Sequence, residues 1–389
     1  MYGSLYPLAE WIAANWWLLT TSIRPSAIDP GYWTWQNVQS QRWLRHHNMR
    51  AAGDGMAWPN LTLVPEGAVT SIHWFADRNG VADPVRFVSA GGAFVNSQDV
   101  ATGLAELVEH VLERLAEEGL PKTRLAEDWA TLAHLDDEEK AFCATAARLG
   151  LDPFSVSDRL ATEIIEVASG LPDELVTDFF DNAEADALDM AAEWMRRASS
   201  VATRASVKAK SDLTDLSVAV TPDLEMAKNS ADRAWEVGYT MARRIRRELG
   251  IQNTRPFDVS PWLAMGEVSV DSAGIQGIGV VDKGRCGLVM GSPRLGRQSR
   301  FFAQARALGR ALVRPDQRSF LLSAARSHDE RVARAFAAEL LAPAAGIHEF
   351  LDRLGRQDDV ALEAVAGHFG VSPLVVRHQY DNQLARMSP

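Results

Sequence analysis

The order of elements after residue 231 constrains the fold of this chain more than any other feature. Three short apolar segments punctuated by glycine predict strands, around residues 266–270, 277–281 and 287–290. Helical periodicity then runs from about Ser299 to Val313 and from about Asp329 to Leu341, where Pro343 ends the second helix. Strands followed by helices within one segment predict an α+β fold that is predominantly helical.

A chain of 389 residues is too long for one hydrophobic core, so we expect two or three domains. Composition shifts divide the sequence into a Trp-rich mixed α+β domain, an acidic helical region, a linker rich in Ser, Thr, Lys and Asp, a second α+β domain and a helical tail. These segments are residues 1–137, 138–200, 201–230, 231–345 and 346–389, respectively.

The N-terminal domain carries strand patterns and many tryptophans. Residues 60–64 and 70–75 predict a hairpin, residues 85–89 and 93–96 predict a second one across Gly91-Gly92, and a helix is expected to run to about Glu118. Nine of the 12 tryptophans lie before residue 130. They form either an aromatic recognition surface or a core of large rings. We favour the core, because no repeat and no interleaved basic residues accompany them.

Charge separates the two halves of the chain, whose net charge is −11. The first 200 residues are strongly acidic and the remainder is slightly basic, which argues against nucleic-acid binding by the first half. One acidic run comprises Asp178, Asp181, Glu184, Asp186 and Asp189. A solvated helix face explains this run more simply than a metal or partner site.

Sequence features bearing on location favour the cytoplasm. The apolar stretch Trp11–Ile23 is interrupted by Asn15 and is shorter than the ~20 residues that a membrane span needs, so we expect an amphipathic helix and no membrane association. Cys143 and Cys286 lie far apart and fit no zinc or redox spacing, which predicts two reduced thiols.

A motif near residue 340 resembles a known family. The segment from Arg334 to Pro343 reads RAFAAELLAP, which is very close to the RFAAELLMP signature of the ImmA/IrrE zinc metallopeptidases. Upstream, residues 302–310 read FAQARALGR and are similar to the family's FTLAHELGH helix. The resemblance covers about residues 233–385 and implies a zincin-like peptidase domain, whereas residues 1–230 have no counterpart in it.

The resemblance also implies that the metal site is degenerate. In active members two histidines one helical turn apart bind zinc, and the Glu between them is the general base. The matching positions hold Arg306, Ala307 and Arg310, and the carboxylate that would be the third ligand falls near Val332, two residues after Glu330. Arginine offers no lone pair and alanine accepts no proton, so we expect no zinc and no catalysis by the family's chemistry.

Two arrangements of the arginines remain open. Arg306 and Arg310 either gather around a carboxylate, with Glu330 and Glu339 as candidates, or point to solvent as an ordinary basic face. Cations at i and i+4 repel each other, which favours a carboxylate between them if they are buried.

The tail resembles a helix-turn-helix. Residues 360–369 and 373–384 flank a turn in which Ser372 is a natural N-cap and Pro373 fits the first helical position. Arg377, His378 and Asn382 are candidate contacts to a partner or to DNA. We favour packing or protein contact, because the tail has more acids than bases.

The resemblance finally implies a function. Active ImmA/IrrE members are regulatory proteases of prokaryotic stress responses, toxin–antitoxin systems and phage-related or defence systems. A degenerate member is expected to bind a protein partner, one with an acidic segment if the arginines line a groove. The alternatives are a DNA-binding regulator and a zinc peptidase with rebuilt ligands.

Overall fold

A computed structural model describes residues 4–23, 38–77, 85–228, 233–292 and 295–384. The chain divides into two compact units, Met1–Gly170 with Ala325–Ser327, and Leu171–Ala324 with His328–Pro389. The fold is α+β and predominantly helical, as predicted, with two small sheets among the described residues. The division falls inside the segment 138–200 that the sequence groups as one acidic helical region.

The first unit surrounds a three-stranded antiparallel sheet of order β1-β2-β3. Its elements are α1 (Tyr6–Thr21), α2 (Val38–His47), β1 (Asn60–Pro65), β2 (Val69–Phe75), β3 (Gly91–Asn96), α3 (Ser97–Glu117), α4 (Arg124–His134), α5 (Asp137–Arg148) and α6 (Asp158–Ser169).

The sheet confirms one predicted hairpin and corrects the other. β1 and β2 pair with Asn60 opposite Phe75, around the predicted turn. Residues 85–89 are not a strand, and β3 pairs instead with β2, so the second hairpin was wrong. Both glycines lie within β3, and the Trp74 indole occupies the space beside Gly91: a Cβ on Gly91 would lie 2.6 Å from that ring.

Tryptophans form part of the core of this unit, as predicted. Trp11 is buried on α1 with Leu8 and Ile12, and its indole N–H donates to the Arg45 carbonyl at 2.8 Å. The Trp16 and Trp129 rings meet edge to face, with centroids 5.2 Å apart. Trp33 and Trp35, which the same prediction included, lie outside the described residues.

The second unit contains the predicted strands and helices, but a strand that was not predicted, β7, lies between the two predicted helices, and further helices precede them. Its elements are α7 (Asp173–Phe180), α8 (Leu188–Ser206), α9 (Thr214–Lys228), α10 (Ala234–Glu248), β4 (Leu263–Gly266), β5 (Gly277–Asp282), β6 (Arg285–Met290), α11 (Arg297–Val313), β7 (Ser319–Leu322), α12 (His328–Leu341), α13 (Ala344–Leu354), α14 (Asp359–Phe369) and α15 (Pro373–Gln379). A π-helical turn, Tyr380–Leu384, follows α15.

The predicted linker at 201–230 was wrong, because most of it is helical. α8 continues to Ser206 and lies on the sheet of order β4-β6-β5-β7, and α9 follows it. The contact is made by small residues: a Cβ on Gly287 of β6 would lie 1.8 Å from the Ala202 carbonyl oxygen of α8. The helix α9 has a weak apolar period and contains Pro222, so the pattern of its residues does not predict a helix.

Helices α10, α11 and α12 pack closely together and position the candidate site. A Cβ on Gly238 of α10 would lie 2.4 Å from the Val332 carbonyl oxygen of α12, and one on Gly309 of α11 would lie 2.8 Å from the Phe336 ring. α12 is therefore held between two helices that each approach it through a glycine.

Within the described residues, no single helix combines the length and the apolar composition needed to cross a membrane; α14 and α15 with the turn after it satisfy that test only as a pair bent by 109°.

His47 provides a test of the packing in the first unit. Burial lowers the pKa of His47 to about 4, although a hydrogen bond to the Trp43 carbonyl acts in the opposite direction. The imidazole of His47 therefore binds a proton more tightly in the unfolded chain than in the folded one. The contribution of neutral His47 to the free energy of unfolding is complete above about pH 6.5. This free energy decreases by about 3 kcal/mol as the pH falls toward 4.

We expect the His47 imidazole resonance in an NMR titration, assigned by its absence from His47→Gln, to have its midpoint near pH 4. A midpoint near the ordinary value of 6.5 would show that the ring is exposed to solvent and is not packed in this core.

Candidate functional site

The predicted arginine pair lies on one face of α11, one helical turn apart, and both side chains are buried. The side chain of Arg306 is 9% exposed and that of Arg310 is 2% exposed. The solvent-facing alternative is therefore excluded. A buried guanidinium group needs an anionic partner, and the surrounding elements supply three carboxylates.

Arg306 joins α11 to the start of α12 and to the sheet. Its Nη2 donates to Glu330 Oε2 at 2.6 Å and to the Ser323 carbonyl at 2.7 Å, and its Nη1 donates to Gln276 Oε1 at 2.8 Å. Glu330 accepts a further hydrogen bond at Oε1 from the Ser323 backbone N–H at 2.9 Å. Each oxygen of the Glu330 carboxylate therefore accepts a hydrogen bond from the protein.

Arg310 binds two different carboxylates. Its Nη2 donates to Asp178 Oδ2 on α7 at 2.5 Å, and its Nη1 donates to Asp329 Oδ2 on α12 at 3.1 Å. Asp329 also accepts from Arg314 Nε at 2.9 Å. We call Asp178, Arg306, Arg310, Asp329 and Glu330 the ionic cluster.

Asp178 departs from the interpretation of the acidic run as a solvated face, whereas Glu184, Asp186 and Asp189 are exposed as predicted. Besides its ion pair, Asp178 Oδ2 lies 3.3 Å from the Leu321 backbone nitrogen, and Glu174 accepts from the Arg318 backbone N–H at 2.9 Å. α7 therefore covers one end and one edge of β7 with carboxylates. An uncovered edge strand would expose these N–H groups to pairing with other chains.

The charges in the ionic cluster stabilise one another unequally. Burial opposes the charge of Arg310, but Asp178, Asp329 and Glu330 outweigh it and raise the pKa of Arg310 above its ordinary value. Burial also opposes the charge of Asp329, but His328, Arg310 and Arg314 hold the pKa of that carboxyl well below its usual range. Asp178 differs, because burial raises its pKa despite Arg310.

Val332, near which counting along the motif puts the third ligand, is fully buried in the hydrophobic core, as is Ala307. The carboxylate that meets the two-arginine face of α11 is Glu330, two residues earlier in the first turn of α12. The candidate partner Glu339 lies elsewhere.

These residues do not fit a zinc ion. Protonated guanidinium groups carry no lone pair, and the cations of Arg306 and Arg310 already satisfy the carboxylates that a metal would need. In the described ranges, no group of three or more His, Cys, Asp or Glu side chains has the arrangement of a metal site.

Glu339 of the signature motif anchors the C-terminal turn. Its carboxylate is 1% exposed and accepts from Arg243 Nε at 2.8 Å, Gln379 Nε2 at 2.7 Å and Gln383 Nε2 at 2.9 Å. The motif's glutamate therefore has a packing role here, holding α10 and the end of α15 against α12.

The candidate DNA contacts of the tail are largely used within the protein. The predicted pair of helices is confirmed, with α14 and α15 around a buried Val371. Arg377 donates to Asp359 at 2.6 Å, and Asn382 hydrogen-bonds with the Tyr239 side chain. His378 is exposed.

Sequence reasoning found the arginines and one of their partners, Glu330, and missed Asp178, Asp329 and Gln276. Asp178 lies 132 residues before Arg310, and Gln276 lies 30 residues before Arg306. No spacing rule connects residues at such separations. Asp329 did carry a signal, since it stands next to Glu330 in the first turn of α12.

Removal of Arg310 tests the burial of the ionic cluster. Arg310→Leu should lower the free energy of unfolding by about 3–5 kcal/mol, because it leaves Asp178 and Asp329 without their shared cation. Asp178→Asn should cost less than about 1 kcal/mol, because the amide oxygen still accepts hydrogen bonds and a charge that burial disfavours is gone.

Urea unfolding of the full chain at pH 7, followed by circular dichroism, measures both changes. Arg314→Leu is the matched control, since Arg314 shares Asp329 but is 44% exposed, and should cost less than about 1 kcal/mol. Equal losses for Arg310→Leu and Arg314→Leu would contradict the buried cluster.

No family model matches the chain, and no curated protein matches it either.

Proposed function

We propose that the second unit is an ImmA/IrrE-type, zincin-like domain in which an ionic cluster has replaced the metal site. On this proposal the protein is a non-hydrolysing, protein-binding component of a prokaryotic stress, toxin–antitoxin or phage-defence system. The observation that carries it is the buried contact of Arg306 with Glu330, formed between the two helices that hold the family-like motifs.

The chemistry of the cluster supports the absence of hydrolysis. Peptide hydrolysis by zinc enzymes needs a polarised water and a general base. Ala307 occupies the base position, and both oxygens of Glu330 accept hydrogen bonds from the protein itself.

The cluster also explains how such a scaffold persists without its metal. A structural ion links elements distant in sequence, and here Arg306 and Arg310 link α11 to α7, α12 and the sheet. Such a scaffold keeps its surfaces available for binding. The arginines themselves are buried and paired, so an acidic partner would bind elsewhere on the domain.

A protein partner is favoured over DNA. Gln379 and Gln383 are directed to the buried Glu339, so these amides hold the tail in place, and Asp359 offsets the charge of the exposed Arg377. A zinc peptidase with rebuilt ligands is the remaining alternative, which metal analysis addresses.

Protein purified in the presence of zinc should contain much less than one equivalent of it and should not cleave casein. The reason is that the cluster's carboxylates are already neutralised by guanidinium groups. Mass spectrometry of bound metal and a fluorescent casein assay with and without 1,10-phenanthroline measure this. Stoichiometric zinc together with chelator-sensitive cleavage would overturn the proposal.

Restoring the family residues tests the proposed origin of the site. The variant Arg306→His, Ala307→Glu, Arg310→His should bind one zinc ion, because two imidazoles one helical turn apart would face Glu330. Its control adds Glu330→Gln and should bind zinc at least about tenfold more weakly. A triple variant that folds well but has no affinity for zinc would argue against a zincin-like scaffold.

A further inference from the structure

Residues 267–270 continue β4 with a strand-like pattern but without a neighbouring strand. Val268 and Val270 are half-buried, whereas Glu267 and Ser269 are exposed. The sequence predicted a strand here, yet the observed strand β4 ends at Gly266. Over the ranges that the structure describes, the main chain of residues 267–270 makes no backbone hydrogen bond, so its N–H and C=O groups are available for pairing.

This segment forms one wall of a groove. β4 lies at an edge of its sheet, bonded to β6 only. The groove has a volume of about 550 Å³ and lies between residues 267–270 and one face of α8. The α8 wall comprises Glu193, Arg196, Arg197, Ser200, Val201 and Arg204, which recur at helical spacing.

The groove is positively charged although the whole chain is acidic. Its wall holds three arginines against Glu193 and Glu267. Arg196 and Arg197 share Glu193, with the Arg196 contact at 2.7 Å. Arg204 donates to the Ser200 hydroxyl at 2.9 Å, a neutral partner that leaves its charge uncompensated.

We propose that residues 267–270 accept an extended acidic segment of a partner protein as an added β-strand. The main chain supplies the strand pairing, the valines supply an apolar floor, and Arg204 binds an acidic side chain of the partner. The assignment rests on the proposed protein-binding function and gives it a surface and a partner class.

A second copy of this chain fits the groove less well. If residues 267–270 of two copies paired about a twofold axis, the arginine-bearing α8 faces would lie close to each other. Like charges brought together in this way oppose association. The acidic segment has the opposite charge and suffers no such penalty.

Fluorescence anisotropy with labelled seven-residue peptides tests the proposal on the full chain. The probe alternates valine and glutamate, a second peptide has lysine in place of glutamate, and a third is the glutamate peptide with alternate backbone amides methylated. Binding is expected only for the first, since lysine reverses the charge and methylation removes the strand hydrogen bonds.

Arg204→Ala should weaken binding of the glutamate peptide about tenfold, which corresponds to one charge-assisted contact. Arg247→Ala, an exposed arginine on α10 outside the groove, is the matched control and should leave binding unchanged. Hydrogen exchange should slow over residues 267–270 when the peptide binds.

Four results would overturn the proposal: no binding of the glutamate peptide at about 1 mM, which corresponds to about −4 kcal/mol; equal binding of the methylated peptide; equal effects of the two arginine variants; or a dimer that protects residues 267–270 without peptide. None of these results changes the zinc or casein measurements, so failure of the groove is distinguishable from failure of the proposed function.

Discussion

The contact of Arg306 with Glu330 is the interaction on which the second unit depends. It lies between α11 and α12, close to the strand β7 that connects them, and it removes a cation and an anion from water together. Burial of either charge alone would cost several kcal/mol, so neither residue is tolerable without the other. Arg310 extends the same arrangement to Asp178 and Asp329 and thereby includes α7, an element that the resemblance to a peptidase does not cover.

This arrangement also determines what the domain can do. The guanidinium groups occupy the face of α11 that would hold imidazoles in a zinc peptidase, and the carboxylates that approach this face are already neutralised. The cluster is therefore a structural element in the proposed account, and the binding function moves to the exposed arginines of α8. There the strand-like residues 267–270 offer main-chain groups that the sheet itself does not use.

Sequence periodicity was sufficient for long elements with clear end signals and failed where the apolar period is weak or the contacts join distant residues. The helices α11 and α12 follow from an apolar period and from Pro343. The helix α9 was missed because its apolar period is weak and Pro222 lies inside it. The buried state of Arg306 and Arg310 was one of two open alternatives, since Asp178, a partner of Arg310, lies 132 residues away from it. Glu330 was one of two candidate partners, and only the packing of the first turn of α12 identifies it as the partner of Arg306.

A double-mutant cycle on Arg306 and Glu330 measures how strongly these two side chains stabilise each other in the folded protein. The free energy of unfolding is measured for the protein, for Arg306→Met, for Glu330→Gln and for the pair of substitutions. A buried ion pair predicts that the double variant loses much less stability than the two single losses combined, with a coupling energy of about 2–3 kcal/mol. Losses that add within about 0.5 kcal/mol would show that the two side chains do not interact in the folded protein, and would contradict the account.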